Sequence, residues 1–333
     1  MGVLLNERRK NTAQRIDALR QELSDGQELC RGKACVYATG SFGRGEATEH
    51  SDLDLFIVGQ SVENDKTGKK SSLLRRLDEI LLKADLIAAT RKLKIQDFSG
   101  DGEYLVHYSV GDLIGTLGKA EDDANNTFTA RLLLLLESYP LLEESVYTDL
   151  TDEVISKYWL DYEDHKNDFI PAFLANDILR LWRTFCVNYE ANTQREPKEK
   201  RAKRKLKNYK LKHSRLLTCY SALLYLLAIY RQESTVTPTN AAEMIRLTPT
   251  RRLEWLLSQS ELREAHPKIQ ELLDCYERFL RSTDAPESTM IERFLDPGAS
   301  RAYFRGASDL GNLVFDVLEK IGLNNAFHRL LVV

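Results

Sequence analysis

The stretch GSFGRGEATEHSDLDLFIV, residues 40–58, decides how this chain is to be read. It opens on a glycine-rich turn and closes on an apolar run. Two aspartates, Asp52 and Asp54, stand one residue apart where that run begins. Aspartate is among the poorest strand formers, so its placement there needs a compensating interaction. Gly40 and Ser41 end a preceding strand in a turn whose backbone N–H groups and hydroxyl can face an anion. Gly43 and Gly45 allow close approach, and Arg44 adds a fixed positive charge. Side chains alternate along a strand, which puts Asp52 and Asp54 on one face and Leu53 and Leu55 on the other. Adjacent carboxylates repel, and each tends to take up a proton unless a cation neutralises the pair. A hard divalent cation with oxygen ligands, Mg²⁺ above all, is the natural partner. A phosphate cradle beside a Mg²⁺-binding carboxylate pair describes a site for phosphoryl or nucleotidyl transfer.

The rest of the chain is compatible with that reading. Its 333 residues are enough for two domains, and 43% hydrophobic with 29% charged residues is an ordinary globular composition. A net charge of −3 argues against a uniformly basic nucleic-acid coat. The five cysteines, Cys30, Cys35, Cys186, Cys219 and Cys275, are scattered and lack metal-site spacing. They read as free thiols of a cytoplasmic protein. The first residues, MGVLLNERRKNTAQRIDALRQEL, are too charged for a signal peptide and read as an amphipathic helix. The longest apolar run, Leu216 to Tyr230, is short for a membrane span and carries three tyrosines, so a buried helix is expected and no membrane insertion. The six histidines form no HExxH pair, and there is no G-x-S-x-G elbow and no Walker P-loop.

Three regions separate along the chain. Residues 1–30 hold an N-terminal helix, over about residues 5–24, that packs on the core. Residues 31–150 form a catalytic domain in which strand-like runs (KACVYATG, LDLFIVG, EYLVHYS) alternate with helical ones (SSLLRRLDEILLKADLIAATRKL, FTARLLLLLESYPLL). Asp122 and Asp123 are expected to cap a helix beginning near Thr127. Residues 151–333 read as helices broken at proline-bearing segments, among them LDPGAS, residues 295–300. The hydroxyls of Ser300, Tyr303 and Ser308 read as those of ordinary loop residues.

A strand, Gly-Ser, ten intervening residues and then Asp-Leu-Asp leading an apolar strand resembles the nucleotidyltransferase signature of the DNA polymerase β superfamily. The resemblance implies an α+β fold: a polymerase β-like domain with a small mixed sheet and helices, followed by an all-helical C-terminal domain. It implies Mg²⁺-dependent transfer of a nucleotidyl group from an NTP or dNTP to an acceptor hydroxyl. Gly40 and Ser41 would hold the β- and γ-phosphates, with Arg44 beside them. Asp52 and Asp54 would ligate two Mg²⁺ ions, for which Mn²⁺ can substitute. A third carboxylate from a later strand would ligate the catalytic metal and activate the acceptor, and Glu103 is the first choice, Asp97 the second.

Enzymes of this superfamily also grip the triphosphate with lysines and a serine from helices behind the catalytic domain, which makes Lys210, Lys212 and Ser214 nucleotide-binding candidates. Arg180 joins them, since Asp177, Arg180 and Thr184 share a helical face. The basic segment 198–215 is richer than one nucleotide needs and could hold a nucleic-acid or oligonucleotide product. The wording of residues 40–58 is similar both to PII-uridylyltransferase catalytic domains and to the nucleotide-signal synthases of bacterial anti-phage defence. Size and layout favour the latter, a template-independent enzyme making a nucleotide signal or short oligonucleotide. The alternatives are modification of a protein or tRNA, toxin-like in some cases, and a catalytically inactive nucleotide-binding module. A protein partner or homo-oligomer is compatible with all three.

Overall fold

A computed structural model describes residues 2–63, 70–102, 105–190 and 197–332. The chain divides into two compact units, residues 5–160 and residues 161–333 together with 1–4. The first unit is built on a four-stranded mixed sheet. Its elements run α1 (Val3–Glu22), α2 (Ser24–Cys30), β1 (Ala34–Thr39), α3 (Gly40–Gly43), β2 (Asp54–Gly59), β3 (Ser61–Glu63), β4 (Lys70–Ser72), α4 (Arg76–Lys92), β5 (His107–Ser109), α5 (Val110–Gly115), α6 (Glu121–Ala124), α7 (Thr127–Glu137), β6 (Tyr139–Leu142) and α8 (Glu144–Tyr158). The strand order is β5-β2-β1-β6, with β3 and β4 forming a separate two-stranded sheet. β1 is antiparallel to both β2 and β6, and β2 is parallel to β5.

Alternation along the strands builds two layers. Val36 and Ala38 of β1 stand opposite Ile57 and Leu55 of β2. On that face they join Ile16, Leu19, Leu23, Leu82 and Leu86 in one buried cluster, so α1, α2 and α4 cover it. The other face is aromatic: Tyr37 stacks on Phe56 at 5.5 Å, and Phe56 meets Tyr108 and Tyr37 meets Tyr147. The Tyr37 hydroxyl donates to the Ala130 carbonyl of α7.

Two local expectations are corrected here. The apolar run after Thr127 is helical only to Glu137, and Tyr139–Leu142 turns into strand β6. Pro140 cannot continue the helix, and an edge strand is where a sheet tolerates it. Asp122 does not cap α7. It is fully buried and accepts from both Arg131 Nη1, at 2.9 Å, and Nη2, at 2.6 Å.

Among the described residues the regular elements of the second unit are all helices: α9 (Ala172–Glu190), α10 (Lys198–Glu233), α11 (Pro238–Arg246), α12 (Pro249–Ser258), α13 (His266–Ser282), α14 (Glu287–Leu295), α15 (Pro297–Gly322) and α16 (Ala326–Val332). α10, 36 residues long, is the spine against which α9, α12, α14 and α15 pack. Its run Leu216–Ile229 is almost entirely buried, the expected core helix, and no described helix is long and apolar enough to cross a membrane. The segment holding Ser300, Tyr303 and Ser308 is not a loop but the start of α15, capped by Asp296 and begun by Pro297. All five cysteines are free thiols, and burial pushes Cys30 and Cys219 up to about 12.

Within α10, His213 is buried with its ring stacked on Phe279 at 4.3 Å, and its Nδ1 donates to the Tyr209 carbonyl. Burial pushes its pKa down from 6.5 to about 4. The unfolded chain therefore binds the proton first, and stability is lost as pH falls from 6.5 to 4, by about 3 kcal/mol from this group. Urea unfolding of wild type and His213→Phe should show the variant gaining on wild type by roughly that amount across the window. Parallel pH profiles would contradict it.

Candidate active site

The site is made where β1 ends and β2 begins. Thr39 closes β1 in extended conformation, Gly40 turns the chain at φ +62°, and α3 makes a single helical turn. Asp54 is the register partner of Thr39, so the first residue of β2 lies beside the turn. Residues 52–55 read exposed, buried, exposed, buried, which is the alternation expected of paired carboxylates over an apolar anchor. A Cβ added at Gly40 would stand 2.6 Å from Asp54 Oδ2, so the close approach of turn and carboxylate requires glycine in two ways, space and φ. Thr39 Oγ1 is buried and has no hydrogen-bond partner among the described residues.

The turn is held from behind. Glu137, the last residue of α7, accepts from Gly40 N–H at 3.1 Å and from Arg44 Nη1 at 3.0 Å. Arg44 Nε donates to Glu46 at 2.9 Å, and all three side chains are buried. A Cβ at Gly43 would come 1.9 Å from the Glu137 carbonyl oxygen, so α7 packs directly on the backbone of the turn. Thr12 of α1 holds the next segment by accepting from Ala47 N–H.

Arg44 is paired with two carboxylates inside the protein, and Gly40 N–H donates to Glu137, so both residues named for phosphate contacts also tie the turn to α7. Ser41, half-buried, is the residue of the pair whose side chain stays partly open. Glu137 was missed in the sequence. Its only signal is a lone carboxylate closing the run LLLLL, 97 residues from Gly40.

Glu103, first choice for the third carboxylate, lies outside the described residues. Asp97 is exposed and paired with Arg91 at 2.9 Å, and the Arg91 guanidinium holds its carboxyl below the usual range. Such a group is a poor proton acceptor. Among the described residues no group of three or more His, Cys, Asp or Glu side chains is placed to hold a metal ion. Asp52 and Asp54 are exposed carboxylates one residue apart, and carboxylate oxygens are the ligand type that Mg²⁺ takes.

Lys210, Lys212, Ser214 and Arg180 belong to the second unit. Lys210 is exposed on α10, while Lys212 and Ser214 are half-buried. The Lys212 ammonium lies 5.9 Å from the centre of the Phe304 ring. On α9, Arg180, Arg183 and Thr184 line a pocket of about 350 Å³ with Asn176, Leu179 and Val187. Asp177 is buried and sits 3.8 Å from Arg180.

A strand, a one-turn helix opened by Gly-Ser, and exposed aspartates at and just before the start of the next strand are consistent with a polymerase β-like nucleotidyltransferase fold. Residues 16–99 match the family model of the nucleotidyltransferase domain, so this chain carries such a domain, on an α+β scaffold. The match spans α1 from Ile16 through β1, the turn, β2 and α4, about a quarter of the chain. Comparison with curated proteins and with solved structures finds no match.

Proposed function

We propose that this protein is an Mg²⁺-dependent, template-independent nucleotidyltransferase that builds a nucleotide signal or short oligonucleotide, with bacterial anti-phage defence as its setting. The observation that carries the reading is the placing of Asp54 against the Gly40 turn, with Asp52 exposed two residues before it. Asp52 and Asp54 would hold Mg²⁺, or Mn²⁺ in its place. When bound, the metal supplies charge neutralisation and a Lewis acid for the phosphates. The buried, partnerless Thr39 hydroxyl opposite Asp54 supports a polar occupant beside the pair.

The chain's own groups divide the work. Ser41 would meet the phosphates of the NTP or dNTP, and Glu137 with Arg44 keeps the turn rigid while it does so. An acceptor hydroxyl attacks the α-phosphorus, the bond to the bridging oxygen breaks, and pyrophosphate leaves. Glu103 is the proposed acceptor of the hydroxyl proton. Lys210, Lys212, Ser214 and Arg180 of the helical unit are proposed nucleotide-binding residues. The defence setting and the cytoplasmic location rest on the resemblance of residues 40–58 and on the free thiols.

Incubation with each labelled NTP and dNTP, with Mg²⁺ or with EDTA, tests the reading. The expected result is Mg²⁺-dependent pyrophosphate release with label in a small product or oligomer. Label on an added protein or tRNA would move the acceptor to the modification reading. Absence of pyrophosphate under all nucleotides and acceptors would overturn the proposal.

A further inference from the structure

We propose that the first four turns of α10 are a sequence-blind binding surface for a nucleic-acid backbone. From Lys198 to Lys212 the chain holds nine basic residues and one acidic residue, Glu199. That stretch is +8 in a chain of −3, so the remainder carries −11. The structure makes the run one continuous helix, about 20 Å long at 1.5 Å per residue. Ala202, Leu206 and Tyr209 form its buried side, and Lys198, Lys200, Arg201, Lys203, Lys205, Lys207 and Lys210 are exposed around the rest.

Three observations select the occupant. Like charges recur four residues apart at 200/204, 201/205 and 203/207, and each such pair costs a helix roughly 0.2–0.5 kcal/mol in the absence of a polyanion. Seven of the nine basic side chains are exposed, Lys203 among them with a surface ion pair to Glu287, which turns a concentrated positive field toward solvent. Its apolar residues and its one aromatic, Tyr209, face inward, so the surface offers neither an apolar face to a lipid bilayer nor a stacking platform to bases. A dense row of ammonium and guanidinium groups with nothing to read bases fits a phosphodiester backbone. The proposal stands on this charge segregation and not on nucleotidyl transfer, so each can fail alone. If both hold, the polymer is the acceptor or the product.

The test is fluorescence anisotropy of the full chain with labelled RNA and DNA oligonucleotides of mixed sequence, about 20 nucleotides long, without Mg²⁺ or nucleotide. The expected result is binding indifferent to sequence, with an affinity that falls with salt at a log–log slope of about −3 to −4, that of roughly five phosphate contacts on a single strand. Lys200→Glu/Arg201→Glu/Lys207→Glu should weaken binding about a hundredfold, and Lys200→Gln/Arg201→Gln/Lys207→Gln should flatten the slope by about 2. Circular dichroism identifies a variant that has lost its fold, in which case the milder one decides. The Asp52→Ala/Asp54→Ala protein should bind like wild type. Unchanged affinity in both basic-residue variants, a slope near zero, or equally tight binding of a poly-glutamate peptide or of anionic phospholipid vesicles would overturn the proposal.

Discussion

Replacing Asp52 and Asp54 together by alanine is expected to lower Mg²⁺-dependent pyrophosphate release at least about a thousandfold, with the melting temperature nearly unchanged. The activity side follows from charge. A metal held at the pair would stabilise the developing negative charge at the phosphates by several kcal/mol, and a thousandfold corresponds to about 4 kcal/mol. The stability side follows from exposure. Both aspartates are exposed, while Leu53 and Leu55 anchor the strand from the opposite face. Surface substitutions of this kind change stability by about 0.5 kcal/mol or less. Pyrophosphate assay and a thermal melt on the same preparation separate the two effects. Wild-type turnover in the double variant would remove Asp52 and Asp54 from the chemistry.

Arg131→Met is expected to have the opposite signature, a large loss of stability of about 3–5 kcal/mol from breaking a buried ion pair. Arg131 and Asp122 are both 0% exposed. The guanidinium donates to both Asp122 oxygens, to the Tyr158 hydroxyl and to the Leu113 carbonyl. Asp122 also accepts from Thr116 and Thr127. Burial alone would raise the Asp122 carboxyl, but Arg131 and the two hydroxyls outweigh it and hold it below its ordinary value of 3.8. Its contribution is therefore present above that pH and lost as pH falls below it. Removing Arg131 strands a buried carboxylate, and Asp122→Asn in the Arg131→Met background should recover part of the loss. Urea unfolding measures both. A loss under about 1 kcal/mol would show that the pair is not the brace of α5–α8 that its geometry describes.

Residues 40–58 were legible because their information is local. A Gly-Ser turn and alternating aspartates and leucines are short-range patterns, and the alternation of exposed and buried residues over 52–55 follows from them. The buried α10 core was legible for a similar reason: fifteen residues of near-continuous apolar character leave few alternatives to a central helix. What could not be read was anything set by contacts across long separations. Glu137 reads as the end of an apolar helix until α7 is docked on the turn, when it becomes the anion that takes Gly40 N–H and Arg44.

Arg44 shows the division most clearly. Its place in a glycine-rich turn suggests a phosphate contact, and nothing nearby contradicts that except Glu46. Burial adds a second demand, because a guanidinium removed from water must be neutralised by partners within reach, and folding brings a second carboxylate from 93 residues away. The short-range code thus specifies the site's front, two exposed carboxylates beside a glycine turn. Its back, the Glu137–Arg44–Glu46 brace under the turn, comes from packing, since desolvation and ion pairing depend on which distant segments close over the same few ångströms.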